Sequence, residues 1–140
     1  MKQNLLILMF FITALVKGQS NKPAVFHVTR LPDPVSYVGT HCGTSTITKP
    51  ELLNCSALIC KMMRNGVNLP YKFEVVSFEF TATNEGKIIA LSCMKEAFTK
   101  EMKDIVQKVK SGSKVFFDNV KAKGQDGVVR NVPGITLVVK

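Results

Sequence analysis

Between Ser111 and Arg130 the chain reads Ser-Gly-Ser-Lys-Val-Phe-Phe-Asp-Asn-Val-Lys-Ala-Lys-Gly-Gln-Asp-Gly-Val-Val-Arg, and this stretch leaves the fold little freedom. A glycine closes the amphipathic segment before it and an apolar strand follows. Gly124-Gln125-Asp126-Gly127 then supplies the glycines and short polar side chains that a chain reversal needs. A further strand runs toward the terminus, where Ile135, Leu137 and Val139 alternate behind Pro133-Gly134. Strands joined this tightly build the edge of a β-sandwich.

The remaining segments extend that reading. Val25 to Arg30 alternates as a half-buried strand, and Leu31-Pro32-Asp33-Pro34 stops it, because closely spaced prolines deny ladder donors. Ser36 to Gly43 is a second extended piece or a loop. Thr48, with Pro50 and Glu51 behind it, has the form of a helix start a turn or two long. Ser56 to Met63 reads as a buried strand. In Tyr71 to Thr83 the phase carries information: Phe73 and Val75 are odd, whereas Val76, Phe78, Phe80 and Ala82 are even. One face can hold both sets only if a residue is inserted near Val75 and Val76, which predicts a β-bulge there. Asn84-Glu85-Gly86 turns the chain, and Lys87 to Cys93 returns antiparallel. From Phe98 to Lys110 the period changes. Phe98, Met102, Ile105, Val106 and Val109 form one helical stripe, with Thr99 as cap and Gly112 as terminator. The sum is a mainly β protein, an immunoglobulin-like antiparallel β-sandwich with one amphipathic α-helix packed on it, forming a single domain over residues 19–140.

The front of the chain argues for export. After Met1-Lys2-Gln3-Asn4, an apolar run from Leu5 to Val16 falls short of the roughly 20 residues that span a bilayer. Val16 and Gly18 suit a signal-peptidase site, so residues 1–18 read as a signal peptide and not as a stable transmembrane anchor. The protein is then expected in the periplasm or, beyond it, secreted. The whole chain carries +9, and removing Lys2 and Lys17 leaves +7. An exported basic domain meets acidic proteins and anionic envelope components, whereas nucleic acid is rare there.

Cys42, Cys55, Cys60 and Cys93 enter an oxidising compartment and are candidates for disulfide pairing, with three complete pairings open. Pairings that involve Cys42 and Cys93 fit better than a local Cys55 to Cys60 bridge, and buried free thiols remain the alternative. No Cys-x-x-Cys accompanies His27 and His41, so no metal site is expected. Catalysis lacks its parts as well. A nucleophile needs a hydrogen-bonded base, and His41 beside Cys42 offers adjacency only; Asp33 and Asp118 have no second carboxylate in view. No enzyme and no cofactor are expected.

Several blocks resemble the C-terminal periplasmic domain of the GldM/PorM family of gliding-motility and type IX secretion proteins. They are Val28-Thr29-Arg30-Leu31 with its Pro-Asp-Pro-Val corner, Gly43 through Ile47 with Lys49 and Leu52, and Tyr71-Lys72-Phe73 with Val76-Ser77-Phe78. The Phe98-Thr99 helix and Lys114 to Arg130 complete the set. The resemblance implies a non-catalytic binding module whose partner is an envelope protein, a secretion or motility lipoprotein among the options, and it allows a homodimer. In the family the domain ends a long dimeric shaft anchored in the inner membrane; here residues 1–18 read as a signal peptide in front of it, so the chain is not expected to transmit torque from the inner membrane itself. An independent secreted ligand-binding or protease-blocking module on the same fold is the second reading. Pro32, Asp33 and Pro34 at the corner, and Lys121, Lys123, Asp126 and Arg130 on the hairpin, are the expected partner-binding residues, since corners and hairpin tips vary without disturbing a core.

Overall fold

The computed structural model describes residues 31–140. The proposed signal peptide and the strand expected at Val25 to Arg30 lie outside the described residues. Ten strands and two helices follow one another: β1 (Val35–Val38), β2 (Thr44–Ile47), α1 (Lys49–Asn54), β3 (Leu58–Lys61), β4 (Met63–Arg64), β5 (Val67–Asn68), β6 (Phe73–Asn84), β7 (Lys87–Met94), α2 (Lys100–Lys108), β8 (Lys114–Gly124), β9 (Val129–Val132) and β10 (Ile135–Val139).

One six-stranded sheet dominates, ordered β2-β10-β8-β6-β7, with β9 on the same edge of β8 as β10. β9 and β10 are two halves of one long antiparallel partner, since Val132 faces Val120 and Ile135 faces Phe117 without change of register. They part at Pro133-Gly134. A Cβ on Gly134 would come within 2.6 Å of the Phe117 carbonyl oxygen, so only glycine fits against β8 at that point. Opposite this break β8 is itself irregular, and Asn119 takes φ 49°.

The bulge expected in β6 is present. Between Val75 and Ser77 β6 advances two residues while β8 moves one, from Ala122 to Lys121; between Ser77 and Glu79 the offset reverses on β8. Phe73 and Val75 thereby share the inner face with Phe78, Phe80 and Ala82. Two irregularities, one per strand, cancel and return the sheet to register.

A second layer covers the inner face: the β1–β3 ribbon and the two helices, α1 against α2, α2 against β6, and β3 against β6. Val38, Leu52, Leu58, Met102, Val106 and Val109 from this layer meet Phe78, Phe80, Val115, Phe117, Ile135 and Leu137 from the sheet in one core. Phe117 sits at its centre, with the Phe80 and Phe98 rings each 5.4 Å away and Phe78 at 6.0 Å. The mainly β sandwich with a packed helix is therefore the fold, with two departures in detail. The large sheet is not wholly antiparallel, since β2 runs parallel to β10. The amphipathic helix also ends earlier than its apolar stripe, because Val109 is extended and buried at the cap and Gly112 serves a later turn by donating to the Val139 carbonyl at 2.7 Å. Both caps are as expected, with Thr48 accepting from the Glu51 N–H and Thr99 from the Met102 N–H.

Candidate functional site

The β8–β9 hairpin and the Pro32 to Pro34 corner, far apart in sequence, meet at one end of the sheet. The turn closes by Gly124 N–H to the Val128 carbonyl and Gly127 N–H to the Gly124 carbonyl. Asp126 folds back so that its Oδ1 accepts from the Val128 N–H at 3.2 Å. This places its carboxylate over β9, where Arg130 stands with its side chain 2% exposed.

Arg130 is the hub. Its Nη1 donates to Asp126 Oδ1 and to the Val128 carbonyl, each at 3.0 Å. Its Nη2 donates to Asp126 Oδ2 and, at 3.1 Å, to the Leu31 carbonyl. The Leu31 N–H returns to Asp126 Oδ2, Asp33 Oδ1 stands 3.5 Å from Arg130 Nε, and the Phe73 ring lies 5.9 Å below the guanidinium. A fork with five donors suits such a site as a lysine would not. Gly124 belongs to the same construction, since a Cβ there would lie 2.6 Å from Asp126 Oδ1 and 2.8 Å from Arg130 Nη1. The hydrogen bond from Arg130, helped by the N–H groups of Leu31 and Val128, holds the Asp126 carboxyl well below the usual carboxylate range; Asp126 in turn pushes the Arg130 pKa up.

The structure thus brings Asp33, Asp126 and Arg130 together. Arg130 is buried and Asp126 nearly so, because their partners are the chain itself, and Pro34 is buried as well. Arg130 and Asp126 thus take part in an internal fastening with Leu31 and Asp33. Pro32, Asp33, Lys121 and Lys123 are exposed. Ser36 adds a second tie by donating to the Pro133 carbonyl. A feature missed by sequence reasoning lies on the outer face of the sheet, where the paired bulges open a groove of about 580 Å³ lined by Ser77, Glu79, Ser92, Asn119, Lys121 and Asn131. Asn119 Nδ2 there donates to Glu79 at 2.8 Å. The phase change between Phe117 and Val120 was its available signal.

All four cysteines are free thiols, the alternative to the candidate disulfides. Cys60 opposite Ser36 and Cys93 against the Met102 sulfur are buried, Cys42 is exposed beside Tyr37, and Cys55 caps α1 with its Sγ on the Glu51 carbonyl. Burial pushes the Cys60 thiol up to about 11, and burial also raises Cys55 and Cys93. Native protein treated with iodoacetamide is therefore expected to label Cys42 first and to release Cys60 and Cys93 only on unfolding, as read by peptide mass. His41 Nε2 donates to Glu51 Oε1 at 2.9 Å, which lowers the Glu51 pKa. Among the described residues no group of three or more metal-ligating side chains converges, and no helix is long and apolar enough to cross a membrane.

A family model of the GldM C-terminal domain matches residues 32–140. The chain belongs to that family. The match begins within the Pro-Asp-Pro corner, so in this GldM domain it takes in Asp33, Asp126 and Arg130, the paired bulges and the sheet. GldM C-terminal domains are a non-catalytic structural family associated with gliding and type IX secretion. No curated protein matches the chain.

Proposed function

We propose that this GldM domain is a non-catalytic, envelope-associated protein-binding module working with gliding or type IX secretion machinery in the periplasm. The family match over residues 32–140 carries the reading. The chemistry of the fold supports it: among the described residues Asp33, Asp126 and Arg130 are engaged in holding the hairpin to the segment around Leu31, and burial raises the pKa of the buried thiols. Surfaces remain for work, and on a sandwich with long strands these are edges and the open sheet face.

The test is affinity capture of the full chain from cross-linked cells of its own host. Envelope proteins of the gliding or secretion apparatus are expected to accompany it from the periplasmic and outer-membrane fractions. A chain recovered free in the culture medium, without such proteins, would overturn the proposal in favour of an independent secreted module.

A further inference from the structure

The two end strands of the sheet order, β2 and β7, are protected very differently. β2 is four residues long and mostly hydroxyl-bearing, Thr-Ser-Thr-Ile, which is a common way to blunt an edge. β7 is eight residues long, and between Lys87 and Lys95 it reads Ile-Ile-Ala-Leu-Ser-Cys-Met without charge, proline or break in its register with β6. Ile88 and Met94 are each 75% exposed.

The turn before β7 fixes which backbone groups are free for a partner. Glu85 and Gly86 both have positive φ, 52° and 77°, the two-residue turn that matches strand twist and makes Asn84 and Lys87 a hydrogen-bonded pair. Pairs then alternate, so Lys87, Ile89, Leu91 and Cys93 direct their N–H and C=O groups at β6. Ile88, Ala90, Ser92 and Met94 direct theirs outward, and the same four side chains are exposed on the open face of the sheet. No other described strand pairs with that side.

Charge decides between occupants. A second copy pairing antiparallel about Leu91 would set Ile88 against Met94, but it would also set Lys87 of one copy opposite Lys95 of the other at both ends, and like charges directly opposed destabilise a strand pair. Nearby acids do not relieve this. Glu85 is engaged with Lys110, Glu79 with Asn119, and Glu96 lines the depression beside Leu58 and Lys61. We propose that β7 is a strand-accepting edge for an extended segment of a partner protein with apolar residues at alternate positions and acidic residues at both ends. The proposal rests on the protein-binding reading above and names its surface.

The probe is a synthetic decapeptide of alternating valine and threonine with glutamates at both ends, followed by fluorescence polarisation on the purified protein. Saturable binding is expected. Ala90→Pro removes an outward N–H without touching a β6 hydrogen bond and is expected to weaken binding by at least about tenfold. Lys87→Glu with Lys95→Glu should weaken it as well, by about tenfold, and a lysine-ended peptide should restore it. The charge variant keeps the test valid if Ala90→Pro misfolds. Binding unchanged by either variant, or a concentration-dependent dimer in sedimentation that Ala90→Pro abolishes, would overturn the assignment. Failure of the peptide experiment with capture from cells intact sinks the edge alone; failure of both sinks the binding function too.

Discussion

Arg130→Ala is expected to lower the melting temperature by roughly 10 °C or more, whereas Lys121→Ala and Lys123→Ala, alone or together, shift it by less than about 2 °C. By residue type the three positions look alike, as cations on one hairpin. In the folded chain Lys121 and Lys123 are solvated, and Arg130 is 4% exposed with both terminal nitrogens engaged. Removing it leaves the partly buried Asp126 carboxylate and the carbonyl of the buried Leu31 without their donor and empties the space above Phe73. Arg130→Lys is expected to recover only part of the loss, because one ammonium cannot replace the fork. The same group gives the stability a pH dependence. Because the folded-state pKa of Asp126 is depressed, its contribution is present above the unfolded value of about 4 and is lost as pH falls toward the lower folded value. Asp126→Asn should flatten that acid limb.

Phe117→Ala is expected to cost about 3–5 kcal/mol in urea unfolding, enough to lower the melting temperature by more than about 10 °C. The ring is fully buried and touches three others, so truncation removes apolar transfer energy and leaves a cavity between rings from β6 and the segment before α2. Collapse is restricted on both sides. Val115 and Phe117 lie between β10 and β6, which fix the β8 backbone through two ladders, and Gly134 seals the Phe117 carbonyl. The m-value should remain near that of the parent, since the same surface is exposed on unfolding. Phe116→Ala is the control, since that side chain faces the opposite side and is only partly buried.

Local chemistry was readable where the cause is local. Thr48 and Thr99 announce their helices, Gly124 to Gly127 their turn, and the odd-to-even switch of the apolar residues in β6 its bulge. The same switch occurs in β8, from Val115 and Phe117 to Val120 and Ala122 across Asp118-Asn119, and it marks the second bulge equally well. Arg130 shares the parity of Val132, so its inward direction was also written in β9. What it would meet there was not. Leu31 and Asp33 reach Arg130 only after the whole domain has closed between them, and no pattern in either segment encodes that contact. The parallel docking of β2 on β10 is invisible for the same reason. Cysteine spacing carries no geometry, so the surroundings of Cys42, exposed, and of Cys60 and Cys93, buried, were not legible either.

Everything turns on Arg130 and Asp126 fastening the hairpin to the segment around Leu31 and Asp33. An NMR titration of the Asp126 side-chain carboxyl carbon from neutral to strongly acidic pH addresses it most directly. Resistance to protonation until well below the ordinary carboxylate range, with the Arg130 guanidinium protons protected from exchange throughout, is the expected result. A midpoint near 4, with guanidinium protons exchanging freely, would contradict it.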